Sequence, residues 1–98
     1  MSNLTFLGKL EAIVLDRMDN PSAGSYTSKL VAAGTKRVAQ KVGEEGVELS
    51  LAAVSGDREE IIDEAADLIY HSIVLLAERD IRLSEVIAKL ESRHSNPA

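Results

Sequence analysis

Between Arg58 and Glu78 the chain carries LIYHSIVLLA, Leu68 to Ala77, a run that is apolar around nearly the whole circumference of a helix. A surface helix needs an apolar stripe on one side only. Such a segment must be central to its fold or covered by another subunit. In a chain of 98 residues the second is expected, because a domain this small buries only about three fifths to two thirds of its unfolded surface. A helical bundle completed by a homodimer is therefore anticipated.

Helical spacing recurs along the chain. Leu7, Leu10, Val14 and Met18 predict a first helix from about Thr5 to Met18, stopped at Asp19-Asn20-Pro21 because proline disfavours the helical region at the residue before it. After a polar loop from Pro21 to Ser25, a short helix is expected from Tyr26 to Ala33, with Leu30 and Val31 inward and Gly34 ending or bending it. A longer helix from about Lys36 to Val54 carries Val38, Val42, Leu49 and Ala53 on its apolar side. Ser55-Gly56-Asp57 then breaks the chain. Asp57, with Glu60 three residues on, is a credible cap for a helix from about Arg58 to Glu78, whose core stripe reads Ile62, Ala65, Ile69, Ile73 and Leu76. Val86, Ile87 and Leu90 mark a last short helix, with fraying expected from Arg93 to Ala98. Strand-type alternation and internal repeats are absent. The expectation is an all-α fold of four to five helices in one domain over residues 1–98.

Composition narrows the chemistry. Residues are 45% hydrophobic but only 3% aromatic, which suits aliphatic helix packing. Eleven Lys and Arg against 16 Asp and Glu give a formal charge of -5, which argues against a nucleic-acid surface. There is no cysteine, so neither disulfides nor thiolate-bound zinc can staple the fold. Lys9, Glu11, Asp16 and Arg17 interrupt any signal or membrane reading of the first helix, and a cytoplasmic location is expected.

The acid is concentrated. Glu44, Glu45 and Glu48 lie in KVGEEGVELS, and Glu64 and Asp67 lie in EAADLIYH. At about 100° per residue, Arg37, Lys41, Glu45, Glu48 and Ala52 fall in one stripe bordering Val38, Val42 and Leu49. Glu64 and Asp67 sit one turn apart, near Leu68, His71 and Leu75. If the two helices pack antiparallel, these acidic margins converge. Carboxylates so placed repel one another and resist burial, and a hard divalent cation removes that penalty. A solvated acidic face is the plain alternative.

At these residues the chain resembles the all-α nucleoside triphosphate pyrophosphohydrolases. Their pattern here reads Glu44-Glu45-Gly46-Val47-Glu48, fifteen intervening residues, then Glu64-Ala65-Ala66-Asp67. More narrowly, SYTSKL, QKVGEEGVELSLAA and EAADLIYHSIVLLAERD are similar in order and spacing to the phosphoribosyl-ATP pyrophosphatase family. The resemblance implies Mg²⁺-dependent hydrolysis of phosphoribosyl-ATP to phosphoribosyl-AMP and pyrophosphate, the second step of histidine biosynthesis. Glu45, Glu48, Glu64 and Asp67 would form the metal shell, and Glu44 would orient a ligand or the attacking water. Lys29, Lys36, Arg37 and Lys41 are the nearby candidates for phosphate contacts. Gly46 departs from the family's alanine, and Asp80-Ile81-Arg82 replaces its usual glycine turn. A housecleaning nucleoside triphosphate pyrophosphatase of the same fold, or a non-catalytic helical dimer with a structural cation, are the competing readings. A cyclohydrolase site, which would need cysteine ligands to zinc, is not expected in these residues.

Two further residues have double readings. His71 could bond Asp67, touch substrate or simply pack. Tyr26 could contact substrate or anchor its helix by burying its ring and leaving the hydroxyl wet. Ser25 and Thr27 read first as helix caps, and Lys41 could merely pair with Glu44 or Glu45 along its own helix.

Overall fold

The structure, a computed structural model, describes residues 3–95. Five helices follow one another: α1 (Phe6–Asp19), α2 (Tyr26–Ala32), α3 (Thr35–Ser55), α4 (Arg58–Glu78) and α5 (Leu83–Ser95). Among the described residues there is no strand. The all-α expectation is met, with helix ends within a residue or two of those expected except in α5. That helix continues through Arg93 and His94, where fraying was anticipated, and the two basic side chains favour the carbonyl end of its last turn. Positions 96–98 lie outside the described residues.

The frame is the antiparallel hairpin of α3 and α4. Gly56 turns it at φ +85°, a left-handed conformation in which glycine carries no Cβ penalty, and its N–H bonds the Ala52 carbonyl. Asp57 then caps α4, its side chain accepting from the N–H groups of Glu59 at 3.1 Å and Glu60 at 3.5 Å. At the open end, Thr35 Oγ1 donates to Glu78 Oε1 at 2.5 Å. These two ties set the register between the helices. α1 and α2 lie across the hairpin, and Val14, Leu30, Val38, Ile73, Val74 and Ala77 form the buried core. Leu7, Leu10, Met18 and Val31 pack around it.

Three core expectations need correction. On α3 the buried residues are Val38, Glu45 and Ala52, seven apart, and Ala53 is exposed. On α4, Ile62 and Ile69 face outward, while His71, Ile73, Val74 and Ala77 are buried. In both helices the line of closest packing runs through polar positions that an apolar pattern assigns to the margin.

α5 is the loosest element, with no buried residue of its own. It is anchored through Leu83, whose N–H donates to Glu11 Oε2 at 2.7 Å. The turn before it is a Schellman motif: Asp80 N–H bonds the Ala77 carbonyl and Ile81 N–H the Leu76 carbonyl, with Asp80 at φ +59°. Glycine is at home there. Asp80→Gly should therefore raise the free energy of unfolding by about 0.5–1 kcal/mol, the left-handed penalty less the added freedom of the unfolded chain. Urea titration of the two proteins measures it.

Candidate functional site

The hairpin register sets Glu45 and Glu48 of α3 opposite Glu64 of α4. One oxygen from each of the three lies within 4.8 Å of the other two. Across an octahedral shell of radius 2.1 Å, opposite ligand oxygens are about 4.2 Å apart, so the three could close on one ion with small movements. Glu45 is 5% exposed, Glu64 half-buried and Glu48 exposed, so the group descends from solvent into the helix interface.

Charge repulsion is written into these side chains. Burial pushes the Glu45 carboxyl above its usual range, and the charges of Glu48 and Asp67 add to that. Glu64 is raised to about 7, first through a proton-sharing contact with Glu48, then by desolvation and by the charges of Glu48, Glu45 and Asp67. Glu64 Oε2 is buried and has no hydrogen-bond partner. An orphaned carboxylate oxygen beside two further carboxylates, all hard donors, fits Mg²⁺ or a similar divalent cation and no soft metal.

The remaining acids fall differently. Asp67 stands outside the 4.8 Å group, although its charge reaches both Glu45 and Glu64. Glu44 turns away. It accepts from Gln40 Nε2 at 2.9 Å and lies 3.7 Å from Lys41 Nζ, and the Gln40 bond chiefly holds its carboxyl below the usual range. Lys41 bridges the two faces, because its Nζ is also 3.7 Å from Glu45 Oε1. Lys29, Lys36 and Arg37 are exposed on α2 and α3. Gly46 has nothing within 4 Å of an added Cβ, so its departure from alanine leaves the acids undisturbed.

Next to the acids the structure builds a polar relay. His71 is 6% exposed, and its Nδ1–H donates to the Asp67 backbone carbonyl at 2.8 Å. A carbonyl only accepts, so Nε2 is left as the acceptor, and the Tyr26 hydroxyl donates to it at 3.0 Å. Tyr26 thus reverses the anchoring expectation: its hydroxyl is engaged and its residue is 53% exposed. Tyr70 meets His71 edge to face at 5.0 Å and hydrogen-bonds the Thr27 hydroxyl. Ser25 caps α2 as anticipated, accepting from Ser28 N–H at 3.1 Å. Thr27 does not share that capping role. The partnership of Gln40 with Glu44 was not anticipated, although their four-residue spacing signals it.

The family model described as phosphoribosyl-ATP pyrophosphohydrolase matches residues 7–94. The chain is 52% identical over 93 residues to the histidine biosynthesis bifunctional protein HisIE of Vibrio cholerae, covering 95% of this chain and 44% of that protein. It is 54% identical over 93 residues to the protein of the same description in Yersinia pestis, covering 95% and 46%. For that of Campylobacter jejuni the figures are 53% over 93 residues, 95% and 45%. The chain therefore spans just under half the length of these relatives.

The carboxyl geometry has a pH signature. A carboxyl that holds its proton more tightly folded than unfolded adds stability below its unfolded value and loses it as pH rises. For Glu64 the window runs from its ordinary 4.5 to about 7. In chelator, the melting temperature should fall between pH 5 and pH 8, the fall should shrink in Glu64→Gln, and Mg²⁺ at pH 8 should reverse it. A fall identical in wild type and variant would contradict the clustering.

Proposed function

The chain belongs to the phosphoribosyl-ATP pyrophosphohydrolase family, and from that premise we propose that it cleaves the α–β phosphoanhydride of phosphoribosyl-ATP, releasing phosphoribosyl-AMP and pyrophosphate. The observation that carries the reading is the placement of buried Glu45 beside Glu48 and Glu64, with an unpartnered oxygen on Glu64. A chain gains nothing in stability from such a group alone. Its cost is understandable where a cation is bound.

Glu45, Glu48 and Glu64 would hold Mg²⁺, with Asp67 one turn from Glu64 as the fourth acid. The ion, when bound, offsets charge on the triphosphate oxygens and lowers the pKa of water. The protein's own residues do the rest. Glu45, fixed in the interface between α3 and α4, gives the site a rigid floor. Lys41, 3.7 Å from Glu45, supplies positive charge beside that floor for phosphate oxygens. Lys29, Lys36 and Arg37, exposed on α2 and α3, are the further cations that would meet phosphate oxygens, and Glu44 lies 3.7 Å from Lys41 on its other flank.

A second copy of the chain completes the fold in this reading. Val47, Leu51 and Val54 form an exposed apolar stripe on α3, and Ile62 and Ile69 are exposed on α4. The radius of gyration is 15.0 Å, where a compact chain of this length has about 13 Å. Both features suit a hairpin that packs against its own copy. Sedimentation should give a dimer at micromolar concentration and a monomer for Leu51→Asp; a monomeric wild type would overturn the dimer.

Pyrophosphate release tests the activity. Phosphoribosyl-ATP with Mg²⁺ should be cleaved much faster than free nucleoside triphosphates, and Glu48→Ala or Glu64→Ala should lose about 10²–10³ in kcat while staying folded. Cleavage of free nucleotides alone would point instead to a housecleaning enzyme. Unchanged hydrolysis in both variants would remove the carboxylates from the chemistry.

A further inference from the structure

The Tyr26–His71 pair has a geometry that phosphate chemistry does not require. Of the chain's three aromatic residues, Tyr26 is the one hydrogen-bonded to His71, which lies one turn beyond Asp67 on the acidic helix. It opens α2 directly after the loop at residues 20–25, half exposed, while its hydroxyl is tied to an imidazole that is almost wholly buried. That imidazole is itself fixed at the other nitrogen by the Asp67 carbonyl, one turn from Glu64. The ring is thus held by two hydrogen bonds in series from the backbone of the acidic helix, with His71 edge-on to it at a centroid distance of 5.9 Å and Tyr70 tilted against it at 6.1 Å. A ring tied through its hydroxyl to the acidic helix, in a residue 53% exposed, keeps aromatic surface available to a ligand beside that helix.

We propose that Tyr26 is a stacking platform for the purine base of the nucleotide substrate, with His71 as the positioning residue that fixes the orientation of its ring. This rests on the nucleotide reading above and adds how the organic end is held. The carboxylates would take the phosphate end through the cation, and they offer no surface on which a base can stack. A braced aromatic at the rim supplies that contact and contributes to affinity without touching the reacting atoms. Because the brace springs from Asp67, the base end and the phosphate end are referred to the same turn of α4.

Isothermal titration calorimetry with Mg²⁺ present and two ligands, AMP and inorganic pyrophosphate, separates the roles. Tyr26→Leu should weaken AMP about tenfold and leave pyrophosphate within about twofold. Tyr26→Phe, which keeps the ring and cuts only the bond to His71, should weaken AMP by a smaller factor, and His71→Asn should match it. Equal weakening of both ligands in Tyr26→Phe would mean that the pair only packs α2, and would overturn the proposal. Unchanged AMP affinity in Tyr26→Leu, or no AMP binding by the wild type, would do so too. Base-selective losses in a protein that fails to hydrolyse phosphoribosyl-ATP would overturn the proposed reaction and leave the platform standing.

Discussion

Antiparallel packing of α3 against α4 in one register is what the site depends on. The Gly56 turn and Asp57 cap at one end, and the Thr35–Glu78 bond at the other, leave the helices no freedom to slide. In that register Glu45 lies on the line of closest packing between Val38 and Ala52, where an apolar residue would be more stable. The protein accepts a buried acid facing two more. Raised carboxyl values at Glu45 and Glu64 are the electrostatic consequence, and a set of hard oxygen donors that fits a small divalent cation is the chemical one.

The same register explains why neighbouring groups divide their work. Residues on α3 and α4 that lie one turn from the triad either extend it or brace it. Asp67 adds charge through its side chain and, through its backbone carbonyl, fixes His71. Lys41 balances Glu45 on the solvent side, and Glu44 with Gln40 holds Lys41 in reach. Tyr26 enters from α2, outside the hairpin, and reaches His71 through its hydroxyl.

Much of this was legible in the sequence because it is local. Helix ends follow from Gly34, Gly56, Asp57 and Pro21, and the acids from their spacing. What escaped was rotational phase. Apolar periodicity placed Ala53 and Ile69 inside, since it counts a glutamate as a surface residue; in fact Glu45 and His71 are buried and turn each helix accordingly. A functional polar residue in the core misleads such a reading by the very feature that makes it functional. Tyr26 was missed in orientation for another reason. Its hydroxyl partner is 45 residues away, and no local pattern carries that contact. Asp80 was noted as a departure from glycine, but its left-handed conformation became clear only with the Schellman turn around it.

That the three carboxylates exist to hold a divalent cation is the claim on which the functional reading stands. Diffraction from crystals grown with Mn²⁺ tests it most directly, because anomalous scattering locates that ion without reference to the protein. A peak within bonding distance of Glu45, Glu48 and Glu64 is the expected result. A peak only elsewhere, or none at saturating Mn²⁺, would contradict it.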